Sequence, residues 1–141
     1  MSIGARIRKF RKEADMTQRE LADEVGLTGS AIRNYEHDIR VPSDELIEKI
    51  AAALDVSPDS IREIGVTGAR GALEVLFRYE SELGLMPVVT EDGIAVMVDP
   101  YREGAQKADQ ALKAWKRMRD ELAAGEITEK EYEAWKARFK G

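Results

Sequence analysis

The sequence predicts a mainly α chain in two parts. A five-helix domain spans 1–66, and a smaller α+β region spans 67–141, with one β-hairpin and a C-terminal helical hairpin. Three observations carry that prediction. Apolar residues recur at helical spacing through 3–64, punctuated by hydroxyl and acidic capping residues. Gly65 and Gly68 then loosen the chain and mark a boundary near residues 65–71. Beyond it two β-favouring runs, Pro87-Val-Val and Ile94-Ala-Val-Met-Val, flank a turn of Thr-Glu-Asp-Gly.

Taken in order, the first helix runs from Ile3 to Ala14 with Ile3, Ile7, Phe10 and Ala14 on one face. Thr17 and Glu20 form a T-x-x-E capping box, so the second helix starts at Gln18; Leu21, Ala22 and Val25 are its apolar stripe, and Gly26 ends it. Leu27 plugs inward and Thr28 caps a third helix through Ile32, Tyr35 and Glu36. Pro42 and Ser43 stop the loop and cap a fourth helix, Asp44 to Leu54, with Leu46, Ile47, Ile50, Ala53 and Leu54 inside. Ser57 caps and Pro58 opens a fifth, through Ile61 and Ile64. Leu73, Leu76, Phe77 and Leu83 then predict an amphipathic helix ending at Gly84, with one hairpin face packing around Leu76 and Phe77. A long helix follows with Ala108, Leu112, Trp115, Met118 and Leu122 at helical spacing, and a last one opens on the box Thr128-x-x-Glu131 and carries Tyr132, Trp135 and Phe139. At those spacings the aromatics read as core rather than as a ligand cage.

Composition narrows the function classes. There is no cysteine, which excludes disulfides, thiolate zinc sites and cysteine nucleophiles; His37 is the single histidine, so no His-pair metal site or Ser/His triad is available. No glycine-rich phosphate loop or metal-loop carboxylate spacing is present, and catalysis, cofactors and metals are not expected. The lack of an apolar leader or long apolar run predicts a cytoplasmic protein without membrane attachment. The net charge of −5 is uneven: residues 1–42 sum to +1 and 43–141 to −6. Arg6, Arg8, Lys9, Arg11 and Lys12 form a basic run with no acid among them. Local positive charge of this kind suits phosphates, while the acidic remainder suppresses loose binding.

Two short helices meeting at a tight turn cannot bury their faces alone, and such a pair presents its second helix to the major groove of DNA. Residues 3–64 go further. The motifs Ile3-Gly4-x-x-Ile7-Arg8-x-x-Arg11-Lys12, Thr17-Gln18-x-x-Leu21-Ala22, Ile32-x-x-Tyr35-Glu36, Pro42 and Leu46-x-x-Ile50-Ala51-x-x-Leu54-x-Val56 hold their spacing throughout. In these residues the chain resembles the Cro-type, phage-repressor-like helix-turn-helix regulators, also called the xenobiotic-response-element family. The resemblance implies a repressor-like domain that binds double-stranded DNA. Gln18 would reach a phosphate, Thr17 would cap and touch backbone, and Arg11 with Glu36 would form an ion pair tying the first helix to the third. The recognition helix, 28–36, would present Thr28, Gly29, Ser30, Arg33 and Asn34, with Arg40 on a phosphate from the loop beyond. Gly29 departs from the family, which has a long polar side chain there, so fewer base contacts and more reliance on DNA shape are expected. Asp38 replaces a common glycine.

The second half is read as a self-association region. A lone hairpin is marginal in water, and this one has apolar residues on both faces and an open edge. A homodimer through 73–139, with strands 86–98 at or near the interface, is therefore expected. The pattern Leu122-x-x-Gly125-x-Ile127-Thr128-x-x-Glu131-Tyr132 loosely resembles a short C-terminal helix-pair motif that serves interaction or oligomerisation. Two alternatives stand beside a sequence-specific regulator: a protein-interaction adaptor on the same scaffold, and an antitoxin-type autoregulator. A small-molecule effector is unspecified by the sequence.

Overall fold

The first four helices each start on a hydroxyl. In the computed structural model, which describes residues 1–140, they are α1 (Ile3–Glu13), α2 (Gln18–Val25), α3 (Gly29–Glu36) and α4 (Asp44–Ala53). The side-chain oxygens of Ser2, Thr17, Thr28 and Ser43 accept from the N–H groups of Ala5, Glu20, Ala31 and Leu46. Each bond satisfies a donor that a helix start leaves orphaned, for about 1 kcal/mol. At Thr17 the box closes, because the Glu20 carboxylate accepts from the Thr17 N–H at 2.6 Å. Gly26, at φ +72°, ends α2 in the left-handed region.

The fifth helix departs from its sequence reading. It is a single turn, α5 (Pro58–Ile61). Ser57 makes no side-chain cap, and its N–H goes instead to the Ala137 carbonyl at 2.7 Å. One i→i−4 bond, from the Arg62 N–H to the Pro58 carbonyl, is too little to propagate a helix. The Arg62 guanidinium is held by Asp59 and Glu48, and the chain turns extended, leaving Ile64 exposed rather than inside.

The described residues form two compact units, one of 1–64 with 133–140 and one of 65–132. In the first, Ile7, Leu21, Ile32, Ile50 and Ile61 are fully buried, joined by Phe10, Ala22, Ile47, Ala51, Leu54, Val56 and Ala137. Each such side chain contributes roughly 1.5–3 kcal/mol when fully covered. Residues 133–140 are bound into this unit: Ala137 packs in its core, the Ala137 carbonyl accepts from the Ser57 N–H and the Ser60 hydroxyl, and Arg138 pairs with Asp55. Nothing in the local sequence marks them for that role.

Three aspartates, Asp15, Asp38 and Asp55, stand at positive φ just past helix ends, where glycine is the usual solution. Asp38 and Asp55 have partners that compensate; Asp15 makes no side-chain bond among the described residues. Relief of the left-handed strain should outweigh the added chain entropy. Asp15→Gly is therefore expected to stabilise the first unit by up to about 1 kcal/mol, a rise of a few degrees in Tm. Thermal melting by circular dichroism checks it, and a lower Tm would contradict the strain argument.

In the second unit α6 (Gly68–Leu83) leads through Gly84 to β1 (Leu85–Thr90), β2 (Gly93–Val98) and α7 (Gln106–Ala123); α8 (Glu129–Arg138) begins in this unit and, from residue 133, belongs to the first. The strands pair antiparallel from Leu85–Val98 to Thr90–Gly93, and Gly93 takes φ +133° at the turn. Pairing in this register puts Leu85, Pro87, Val89, Ile94, Val96 and Val98 on one face and Met86, Val88, Ala95 and Met97 on the other. The expected cover is missing. No residue of α6 or α7 is fully buried, Leu76 and Phe77 are exposed, and so are Val89, Ile94 and Val96. The aromatic core reading also fails in part. Tyr132 is buried and accepts a hydrogen bond from Trp115 Nε1 at 2.6 Å, but Trp115 itself and Phe139 are exposed. Two helices and a hairpin enclose too little volume to bury every apolar residue they carry. The Thr128–Glu131 box closes in both directions.

Candidate nucleic-acid interface

α3 is fixed from behind by a buried polar cluster. The Arg11 guanidinium donates to both Glu36 oxygens, at 2.5 and 3.0 Å, and its remaining arm reaches the Met16 carbonyl at 2.7 Å. Gln18 Nε2 donates to Glu36 Oε2 at 2.8 Å. Helices α1, α2 and α3 thus meet at one carboxylate. Burial pushes the Glu36 carboxyl up, but the bonds from Arg11 and Gln18 and the charges of Arg11 and Arg8 outweigh it, holding the group below the usual range. No buried side-chain polar atom among the described residues lacks a partner.

The opposite face of α3 is free. Thr28, Ser30 and Arg33 are exposed and Gly29 and Asn34 half-buried. Ser30, Arg33 and Asn34 line one shallow depression together with His37 and Ile39. Neither Arg33 nor Asn34 makes a side-chain bond among the described residues, so their donors point to solvent. A Cβ built on Gly29 would meet Arg19 Cα at an ordinary 3.7 Å. Packing therefore does not require glycine there, and its smallness bears on what the helix can read.

The loop after α3 is held by Asp38, whose carboxylate accepts from the Ser2 hydroxyl at 2.6 Å and the Gly4 N–H at 3.1 Å. A carboxylate over the start of α1 also meets the positive end of that helix. Arg40, two residues on, is exposed.

A helix-turn-helix family profile matches residues 7–61. The antitoxin PezA of Streptococcus pneumoniae is 30% identical over 124 residues, covering 86% of this chain and 75% of that protein. The chain belongs to the Cro-type helix-turn-helix family. The transcriptional regulator ImmR of Bacillus subtilis is 27% identical over 124 residues, which is 86% of this chain and 97% of ImmR. Among solved structures, the P22 c2 repressor bound to a synthetic operator shares 32% identity, over 45% of this chain and 96% of that one, with a TM-score of 0.43.

Within this helix-turn-helix frame, several sequence assignments change. The basic run of α1 is not one free patch. Arg6 donates to the Ser60 carbonyl at 2.9 Å, Lys9 lies 4.0 Å from Glu13, and Arg11 is committed to Glu36. Arg8 and Lys12 alone remain without a hydrogen bond or ion pair among the described residues. Gln18, read as a phosphate ligand, spends one amide hydrogen on Glu36 and keeps the other, together with its place at the amino end of α2. Two residues escaped sequence reading. Arg19 sits exposed beside Gly29, and Ile39 borders the depression of α3. Adjacency to Gln18 could have pointed to Arg19; only the loop geometry points to Ile39. No group of three or more metal-ligating side chains occurs among the described residues, and no helix there is long and apolar enough to cross a membrane.

Proposed function

We propose that this chain is a DNA-binding transcriptional repressor that inserts α3 into the major groove. One observation carries the reading most directly. α3 is anchored on its inner side by the Arg11–Glu36–Gln18 cluster, while its outer side carries unpaired Ser30, Arg33 and Asn34. The relatives' names as regulators and the repressor family support it. In this reading Arg33 donates in bidentate fashion to a guanine and Asn34 reaches a base or phosphate. Thr17, Gln18, Thr28, Arg40 and Arg19 position the duplex through its backbone. With Gly29 contributing no side chain, DNA shape supplies part of the selectivity.

Enrichment of bound sequences from a random duplex pool tests the proposal and defines the operator. On that operator Arg33→Ala and Asn34→Ala are each expected to lose about 1–3 kcal/mol, roughly 5- to 150-fold, with relaxed preference at one position. Gln18→Ala should weaken all sequences by a similar factor. No enrichment, together with a flat dependence of binding on salt, would instead favour an adaptor.

The regulator acts as a homodimer through residues 73–139 in this reading, each copy taking one of two half-sites about 34–36 Å apart. An antitoxin-type autoregulator is the second reading, favoured by the identity with PezA over most of the chain. A stable complex with the product of an adjacent reading frame on co-expression would support that version, and its absence would remove it.

A further inference from the structure

The two strands of the hairpin have unequal outer edges. The Asp99 N–H donates to the Gly84 carbonyl at 2.7 Å, one step beyond the Leu85–Val98 pair. Antiparallel ladders alternate bonded and non-bonded pairs, so Met86–Met97, Val88–Ala95 and Thr90–Gly93 are the bonded ones. The residues between them turn N–H and carbonyl away from the partner strand. Along β1 these are Leu85, Pro87 and Val89; along β2 they are Ile94, Val96 and Val98. Pro87 has no N–H, so the central donor of the β1 edge is missing, a common way of blunting an edge. β2, Gly-Ile-Ala-Val-Met-Val, carries neither proline nor charge, and residues 93–97 are all exposed.

Apolar surface accompanies that edge. Val89 is 82% exposed, Ile94 73% and Val96 51%, all on one face, and Phe77 of α6 is 60% exposed. Together they leave on the order of 500 Å² of apolar surface per copy, against roughly 800 Å² that each partner gives to a standard stable interface. Val89, Ile94 and Val96 are neighbours on that face, and an exposed apolar patch on the order of a few hundred Å² is often functional.

We propose that β2 pairs antiparallel with β2 of a second copy, about a two-fold axis through Val96, to give a four-stranded sheet in the order β1-β2-β2-β1. The donors set the register. With Val96 opposite its counterpart and Ile94 opposite Val98, all three outward N–H groups and carbonyls of each strand are satisfied. Centring on Ala95 would place Val98 opposite Asp92, in the turn. A second copy fits better than a foreign strand because the edge is complementary to itself under that rotation, and the exposed Ile94 and Val96 of each copy then lie side by side on one face. The inference rests on the homodimer reading and adds where the two copies meet.

The chain has no cysteine, so single-cysteine variants of the full chain report the pairing cleanly. Opposed Val96→Cys positions would have Cα atoms about 5.5 Å apart, within disulfide range. Under mild oxidation Val96→Cys is expected to form covalent dimers on the order of ten-fold faster than Val89→Cys, a more exposed position on the β1 edge. Val96→Pro removes an outward N–H without touching a β1–β2 bond. By light scattering at tens of micromolar it should be a monomer, with the melting of the first unit unchanged. Cross-linking at position 89 as fast as at 96, or a Val96→Pro dimer, overturns the β2 pairing and leaves the homodimer reading standing. A wild-type monomer overturns both.

Discussion

Glu36→Ala is expected to unfold the first unit at or near ambient temperature. The substitution strands the Arg11 guanidinium in a site where Arg11 is 8% exposed, and it also frees the Gln18 amide. Breaking a buried ion pair from one side costs about 3–5 kcal/mol. A unit of this size has on the order of 5 kcal/mol to lose, and each kcal/mol is roughly 4–8 °C in Tm. Arg11→Ala should do the same from the other side by leaving a buried carboxylate. Circular dichroism melting decides it, and a Tm within a few degrees of wild type in both variants would show that the cluster contributes little. The same carboxylate sets an acid limit. Its folded pKa lies below the unfolded value of about 4.3, so its contribution is complete above that value. Stability is then lost as pH falls through the depressed folded value. In Glu36→Gln that part of the acid dependence should disappear.

The second large effect is expected at Gly4. α1 approaches the end of α3 so closely that a Cβ on Gly4 would lie 2.1 Å from the Tyr35 carbonyl oxygen and 2.7 Å from Asp38 Oδ1. The first of these is backbone and has no rotamer to escape into. In an ordinary helix Gly→Ala would stabilise by about 1 kcal/mol. Here overpacking should reverse the sign, for a net loss of about 1–3 kcal/mol. The displaced element is the recognition helix and the loop after it, so DNA affinity should fall as well. Gly4→Ala with an unchanged or raised Tm would mean that α1 and α3 separate at no cost.

These two sites show how legibility varied along the chain. Gly4, Arg11 and Glu36 were marked by the family resemblance, and the caps Thr17, Thr28 and Ser43 by local pattern, because a cap needs only a residue and its neighbour three positions on; the Ser2 cap went unread. Arg6 could not be separated from Arg8 in the same way. Both belong to one basic run, yet Arg6 is tied to the Ser60 carbonyl, 54 positions away, while Arg8 makes no hydrogen bond among the described residues and acts on Glu36 only through its charge. Gln18 was identified as the first residue of α2, but its bond to Glu36 depends on how two helices cross. Ile64 was placed inside by periodicity, and the extended turn at Arg62 took it out.

By itself the sequence determined the family, the helix starts, the hairpin with its turn, and the outward set Thr28, Ser30, Arg33 and Asn34. All of these depend on local backbone chemistry or on a motif whose spacing is fixed. Tertiary structure alone decided that residues 133–140 complete the first unit, which of the α1 cations are already committed, and that the apolar faces of α6 and the hairpin stay uncovered. The physical reason is common to the three. Periodicity reports that a face is apolar or a side chain charged, but what meets it is set by contacts between segments far apart in the chain, which no local pattern encodes.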